Sequence, residues 1–125
     1  MRVANNWKSF EVLDASGGEK LERWDNVTLI RPDPQVLWNT PKDRAWDQAD
    51  AHYLRSHSGG GHWEYRKKIR DQWSISYGDL RFKISPTGFK HTGLFPEQAV
   101  NWDAMAQLIR GAGRPIRVLN LFAYT

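Results

Sequence analysis

The sequence predicts an α+β fold, in which a small β-rich N-terminal part with a β-hairpin is followed by one helix and a final strand. Three observations carry this prediction. Short β-branched and aromatic segments fill the first third, an apolar alternation spans residues 73–84, and a helical apolar period lies between 96 and 110. With 125 residues, 13% of them aromatic, the chain has the size of one ordinary domain and large side chains for its core.

Three strands are predicted in the first third of the chain, over residues 10–13, 20–24 and 27–31. A Gly-Gly pair and an Asp-Asn pair separate them, and both pairs favour tight turns. Pro32 ends the third strand because proline has no backbone N–H to donate to a neighbouring strand.

Residues 39–62 give conflicting signals. Trp46, Ala49 and Tyr53 have helical spacing, but Pro41 and the Ser-Gly-Gly-Gly run at 58–61 interrupt any long helix. We therefore predict an irregular connection in this region.

The clearest local element is a β-hairpin formed by residues 73–77 and 80–84, with Gly78 and Asp79 as a two-residue turn. This turn predicts three facing apolar pairs on one side of the hairpin: Trp73 with Ile84, Ile75 with Phe82, and Tyr77 with Leu80. The other side carries small and basic residues, namely Ser74, Ser76, Arg81 and Lys83. We expect the apolar side to be buried and the basic side to be available to a phosphate backbone.

A helix is predicted next, because Pro96 and Glu97 suit its first turn and Arg110 and Gly111 suit its end. Its apolar stripe is predicted to be core and consists of Trp102, Met105, Ala106 and Ile109. Residues 116–125 then read as a strand buried on both faces, as in a parallel sheet. Such a strand needs neighbours, so it either pairs with the N-terminal strands or belongs to a longer chain.

The positive charge of the chain is concentrated in its centre. Residues 55–90 hold eight Lys and Arg against three Asp and Glu, whereas the whole chain has a net charge of +4. Clustered positive charge is typical of proteins that bind nucleic acids, although a solvated basic face without a partner is an equal alternative. The predicted RNA-binding residues are Arg66, Lys67, Lys68, Arg81 and Lys83.

Several classes of protein are not favoured. The chain has no cysteine, and the spacing of His57, His62 and His91 matches no zinc pattern, so no metal site is predicted. The glycine run at 58–61 lacks the Walker pattern of a nucleotide-binding loop. No apolar run approaches the ~20 residues that span a membrane, and the N-terminus lacks the apolar core of a signal peptide. We predict a cytoplasmic protein without membrane contact.

Two segments resemble a known family. Residues 86–102 (PTGFKHTGLFPEQAVNW) and 118–125 (VLNLFAYT) are similar to the junction at which class I S-adenosylmethionine-dependent methyltransferases related to bacterial large-subunit (23S) rRNA methyltransferases enter their Rossmann-like domain. In that family a KTGxFxDQ-like segment precedes a helix, and a VLNxFxYTGG-like strand follows it. Four earlier segments resemble one branch of the family: 12–14, 20–24, 31–35 and 59–63.

The resemblance implies a division into two domains, with an accessory domain for substrate positioning over 1–93 and the beginning of a cofactor-binding domain over 94–125. It implies that the chain is the N-terminal part of the enzyme and ends inside the first cofactor motif, before the family's two glycines. The cofactor would be S-adenosylmethionine. The residues placed near it by resemblance are Lys90, Thr92, Phe95, Gln98, Phe122, Ala123, Tyr124 and Thr125. Ala99 stands where the commoner form of the family has Arg, which puts any arginine contact in doubt.

The expected function is methylation of an RNA base, with rRNA as the substrate that the resemblance implies. The catalytic residues and the acidic residue for the ribose hydroxyls would lie beyond Thr125, so we expect this chain to be inactive alone. Two alternatives stay open: a stand-alone RNA-binding β-domain without catalysis, and a methyltransferase with a substrate other than RNA. The target nucleotide and the oligomeric state do not follow from the sequence.

Overall fold

The computed structural model describes residues 2–121 of the chain. In this part, seven strands form a five-stranded and a two-stranded sheet. The larger sheet contains, in spatial order, β1 (Phe10–Ser16), β2 (Glu19–Trp24), β3 (Val27–Pro32), β4 (Ala51–Arg55) and β5 (Gly61–Tyr65). Its neighbouring strands are antiparallel except β3 and β4, which are parallel. The smaller sheet is the hairpin of β6 (Trp73–Tyr77) and β7 (Leu80–Ile84).

The three predicted N-terminal strands are confirmed as β1, β2 and β3. Gly17 and Gly18 close the first turn with φ of 61° and 76°, and Asp25 has a φ of 59° in the second. Glycine adopts this left-handed region without a steric penalty, and Asp tolerates it better than most residues. β3 ends at Pro32, as predicted.

The predicted irregular connection over 39–62 is wrong in part, because a short helix and two strands occupy 11 of its 24 residues. A short helix α1 (Arg44–Asp47) begins after Asp43, whose side chain accepts a hydrogen bond from the Ala45 backbone N–H at 2.9 Å. β4 follows, and the glycine run closes a hairpin to β5, with Gly59 and Gly60 at positive φ. The run therefore forms a turn between two strands, because left-handed glycines reverse the chain there.

The β6–β7 hairpin is confirmed together with its register, which pairs Trp73 with Ile84, Ile75 with Phe82, and Tyr77 with Leu80. Its apolar side packs on one face of the five-stranded sheet, where Trp24, Leu29 and Ala51 join the same core. The prediction fails only at the turn, where Leu80 is exposed. A second, smaller core on the opposite face packs Trp46 and Ala49 against the sheet.

The predicted helix is confirmed as a 3₁₀ turn over Pro96–Gln98 followed by α2 (Ala99–Gly111). Its stripe is only partly core, because Met105 and Ile109 are 40% and 44% exposed. The helix joins the core through its first turn, where Ala99 is buried and the Trp102 ring stacks on Phe82 with centroids 5.2 Å apart.

The predicted terminal strand is wrong for residues 116–121, which form no strand, and Leu119 is 83% exposed. A strand forms only beside a partner that satisfies its N–H and C=O groups, and none of the described strands pairs with this segment. Residues 122–125 lie outside the described part. The division into 1–93 and 94–125 stays a prediction, and Leu94 shares the core of the strands.

Candidate functional site

The 85–96 loop connects β7 to the turn before α2, and it carries three of the eight residues that the resemblance places at a cofactor, namely Lys90, Thr92 and Phe95. The loop folds back on itself, since the Ser85 N–H donates to the Thr92 carbonyl at 3.1 Å and the Thr87 N–H to the His91 carbonyl at 3.3 Å. These two bonds close residues 85–92 into a turn directly after β7.

Three side chains from outside the loop bind its backbone carbonyls. Trp63 Nε1 donates to the Thr87 carbonyl at 2.8 Å, and Arg31 Nη1 donates to the Lys90 carbonyl at 3.0 Å. Trp7 Nε1 donates to the Pro96 carbonyl at 3.0 Å at the other end of the loop. The loop is therefore held at three points by the N-terminal segment, β3 and β5.

Arg31 is itself held by a buried ion pair. Its Nε and Nη2 atoms contact the two carboxylate oxygens of Glu22 at 2.6 and 2.9 Å, and Glu22 is fully buried. Trp24 Nε1 donates to the same carboxylate at 3.0 Å, and Lys20 Nζ lies 3.2 Å from it. A planar guanidinium bound at two points has a fixed orientation, so its remaining nitrogen points to the loop.

Positive charge accumulates where the loop meets the sheet. Burial lowers the pKa of Lys90, and the nearby Arg55 and Arg31 lower it further. Burial likewise lowers the pKa of His91, with smaller effects from Lys90 and Arg31. His91 therefore tends to be neutral near pH 7.

The four predicted cofactor residues inside the described part differ in exposure. Thr92 is fully buried, and its Oγ1 has no hydrogen-bond partner among residues 2–121. Lys90 is half-buried, whereas the Phe95 side chain is 39% exposed and Gln98 is exposed. Gln98 Oε1 accepts a hydrogen bond from Asn101 Nδ2 at 2.8 Å. The role of these four residues at a cofactor stays a prediction. The other predicted contacts, Phe122, Ala123, Tyr124 and Thr125, lie outside the described residues.

A polar cleft of about 580 Å³ lies on another part of the surface. The β2–β3 turn forms one wall, with Asp25, Asn26 and Val27, and the segment from Lys67 to Arg70 forms the other. Asp50, Trp73 and Ser74 complete the lining.

Asp50 connects the walls of this cleft. It accepts hydrogen bonds from the Thr28 N–H at 2.7 Å and the Thr28 hydroxyl at 2.9 Å, and it forms an ion pair with Lys67 Nζ at 2.8 Å. Burial opposes the charge of Asp50, but the hydrogen bonds from Lys67 and Thr28 outweigh this effect and lower its pKa. Asp50 is therefore ionised at neutral pH and keeps Lys67 in place.

The predicted RNA-binding residues fall into two groups. Arg66 and Lys67 bind backbone carbonyls at the end of α1, since Arg66 Nη1 donates to the Trp46 carbonyl at 2.7 Å and Lys67 Nζ to the Gln48 carbonyl at 2.9 Å. Of these two residues, Lys67 also lines the cleft. Lys68, Arg81 and Lys83 are exposed. Within residues 2–121, these three make no ion pair.

The two groups border each other. Ser74 lines the cleft, and the register of the hairpin sets Ser74 opposite Lys83. The outer side of the hairpin, with Arg81 and Lys83, thus continues from the edge of the cleft. Arg70 and Asn26 were not predicted from the sequence as cleft residues. Arg70 could have been found because it belongs to the same basic run, but Asn26 gave only a turn signal.

No group of three His, Asp or Glu side chains able to hold a metal ion occurs among residues 2–121, and His57 and His62 are exposed. The same part of the chain contains no helix that is both long and apolar enough to cross a bilayer.

Comparison with known proteins gives a structural relative. No family model and no curated protein matches the chain. A crystal structure of a SAM-dependent methyltransferase from Agrobacterium tumefaciens superposes with a TM-score of 0.82 and 35% sequence identity, over 93% of this chain. The chain spans 37% of the length of that protein. Over almost its whole length, the chain is thus similar to part of a SAM-dependent methyltransferase.

Proposed function

We propose that this chain is the part of a SAM-dependent methyltransferase that binds the RNA substrate and contributes one wall of the cofactor site. The observation that carries the proposal is the similarity to the Agrobacterium tumefaciens methyltransferase, at 35% identity over 93% of the chain. Because the chain covers only 37% of that protein, the methyl transfer belongs to the whole enzyme. A cytoplasmic location is part of the proposal.

S-adenosylmethionine supplies an activated methyl group when it is bound. The residues of this chain that suit it are the exposed Phe95, whose ring can stack on an adenine, and Gln98, whose amide can pair with a polar edge. Phe95 lies at the end of the loop that Arg31 and Trp63 hold, and Gln98 lies in the turn that follows it before α2. The chain's contribution is therefore to orient these side chains.

RNA is the favoured substrate because the lysine and arginine side chains that make no described ion pair lie near one another. Lys68 at the cleft and Arg81 and Lys83 on the hairpin form a continuous basic edge, and phosphate contacts supply most of the affinity of such surfaces. The resemblance of residues 86–102 and 118–125 to large-subunit rRNA methyltransferases narrows the proposal to a base in rRNA.

The binding of RNA can be tested on the chain itself. We expect weak, salt-sensitive binding of single-stranded rRNA fragments. A Lys68→Ala, Arg81→Ala, Lys83→Ala variant should reduce the slope of log affinity against log salt by about 0.7 for each phosphate that the protein no longer neutralises. The variant should keep its fold, because these three side chains hold no described partner.

The matched control is Arg110→Ala combined with Arg114→Ala and Arg117→Ala, which removes three exposed charges at the end of α2 and after it. Its affinity and slope should stay close to those of the unchanged chain. Equal losses in both variants would indicate a general charge effect, and no loss in the first variant would contradict the proposed RNA surface.

A stand-alone RNA-binding domain would pass the same binding test, so a second observation separates it from the enzyme. The coding sequence after Thr125 should continue with two glycines, a helix and a strand that ends in an acidic residue. A stop codon at that point would overturn the methyltransferase proposal and favour the binding domain. Binding of SAM without any affinity for RNA in the whole protein would favour a different substrate.

A further inference from the structure

The cleft between the β2–β3 turn and the 67–70 segment has features that a general basic surface lacks. We propose that it binds one unpaired nucleotide of RNA, with Lys68 and Arg70 on the phosphate and Asn26 on the base. This inference rests on the proposed RNA substrate and names the nucleotide-binding position within it.

The lining of the cleft has the mixed character of a nucleotide. Ile69 supplies apolar surface, the largely buried Val27 and Trp73 contribute their edges, and charged and amide side chains surround them. At about 580 Å³ it lies within the range of sites for small molecules, roughly 300–1,000 Å³. Apolar and aromatic surface accommodates a base, whereas a flat array of lysines would contact phosphates alone.

The charges on the two walls direct a phosphate to one side. Lys67 is neutralised by Asp50, which leaves Lys68 and Arg70 as the cations of the 67–70 wall without an ion pair in the described part of the chain. Asp25 stands on the opposite wall and repels an anion. A phosphate is therefore expected against Lys68 and Arg70, and the guanidinium of Arg70 can bind two of its oxygens at once.

With the phosphate on the 67–70 wall, the base of the bound nucleotide would face the β2–β3 turn. Asn26 is exposed there, and its side chain makes no hydrogen bond with any residue from 2 to 121. An amide offers both a donor and an acceptor, which is the combination needed at the polar edge of a base. A base in a duplex is stacked and paired, so only a splayed or single-stranded nucleotide can enter.

Basic side chains at the edge of the cleft could also contact the RNA on either side of the bound nucleotide. Ser74 lines the cleft and faces Lys83 across the hairpin, and Arg81 lies two residues away from Lys83 on β7. The neighbouring phosphates would follow this basic side, while the cleft holds the nucleotide between them.

The test measures the affinity of the chain for a short single-stranded RNA at low salt. Lys68→Ala with Arg70→Ala should weaken binding by about tenfold, since each substitution removes a charge-assisted hydrogen bond. The control Arg110→Ala with Arg114→Ala removes the same charge elsewhere and should change the affinity by less than about twofold. Circular dichroism of each variant verifies the fold.

A second measurement addresses the base. Asn26→Ala should weaken binding of the normal RNA but not of an oligomer of equal length that has abasic sugars. Asn26 has a negative φ in the turn, so Ala fits its backbone.

The outcomes separate the two proposals. If the unchanged chain does not bind RNA, the proposed RNA function fails and this inference fails with it. If the chain binds RNA but the Lys68 and Arg70 variant binds equally well, the cleft is not the site, although the RNA function stands. If Asn26→Ala weakens the normal and the abasic RNA alike, the cleft does not hold the base.

Discussion

Glu22 and Arg31 form a buried ion pair that joins the five-stranded sheet to the 85–96 loop. We therefore predict that the loss of either charge lowers the free energy of unfolding. Glu22 is fully buried, and Arg31 contacts both of its carboxylate oxygens. Replacing Glu22 by Gln removes the negative charge but preserves the shape of the side chain. The guanidinium of Arg31 is then left in a dry environment opposite a neutral amide.

The magnitude follows from the difference between buried and exposed pairs. Removing one partner of a buried pair costs about 3–5 kcal/mol, because the desolvation of the other charge is no longer compensated. The matched control is Glu11→Gln, since Glu11 pairs with Arg23 at 3.0 Å but is 58% exposed. Exposed pairs contribute less than about 1 kcal/mol. We expect Glu22→Gln to be at least about 2 kcal/mol more destabilising than Glu11→Gln.

The measurement is urea unfolding of both variants and of the unchanged chain, with circular dichroism as the signal that monitors unfolding. Hydrogen exchange gives an independent result. Glu22→Gln should accelerate exchange in the 85–96 loop, because Arg31 holds the Lys90 carbonyl. A loss below about 1 kcal/mol for Glu22→Gln, or equal losses for both variants, would refute the reasoning that the buried pair fixes the loop.

Two further predictions concern other contacts. Gly61→Ala should destabilise the chain by about 1–3 kcal/mol in urea unfolding, because the new Cβ would lie 2.2 Å from the Leu54 carbonyl oxygen. The control is Gly88→Ala, whose new Cβ would have no atom within 4 Å and which should change stability by less than about 0.5 kcal/mol. Equal effects of the two substitutions would contradict the clash at Gly61. Because the pKa of Asp50 is lowered in the folded state, its charge stabilises that state at pH values above the ordinary pKa of 3.8. This contribution to stability is lost as the pH falls through the lowered pKa of the folded state. In Asp50→Asn, the free energy of unfolding should be lower at neutral pH and should fall less steeply in acid. An unchanged pH dependence would contradict a contribution of Asp50 to acid unfolding.

The elements that the sequence predicts correctly are those with local signals. The β6–β7 register follows from the two-residue turn at Gly78 and from alternation over ten residues, and the structure confirms each pair. The strands on either side of Gly17 are set by the same kind of evidence. In both places the turn chemistry and the apolar period agree, so that few alternative pairings compete.

The wrong predictions depend on contacts between distant parts of the chain. The spacing of Trp46 and Tyr53 mimics a helix, but Tyr53 lies on β4, which pairs in parallel with β3. Parallel pairing depends on residues far apart in sequence and leaves no short-range signal. Likewise, the helical stripe through Met105 predicts an apolar face but not whether another element covers it.

The cleft could not be predicted either, because its lining residues are far apart in sequence. Asn26 and Arg70 are 44 positions apart and meet only because β3 and the segment after β5 lie at the same end of the sheet. Asp50 fixes this meeting by binding Thr28 on one side and Lys67 on the other. A basic run in a sequence thus indicates a surface, whereas the fold determines which of its cations are free for a ligand.

The contacts of the 85–96 loop connect the two proposed roles of the chain. Trp63 extends from β5, directly before the basic segment that forms the cleft, and donates to the carbonyl of Thr87. Arg31 extends from β3, whose first residues border the same cleft, and donates to the carbonyl of Lys90. The strands that shape the proposed RNA site therefore also hold the loop that leads to Phe95. If the proposed RNA site and cofactor wall are correct, the sheet that carries both attachments would hold them at a fixed separation, as transfer between two bound molecules requires.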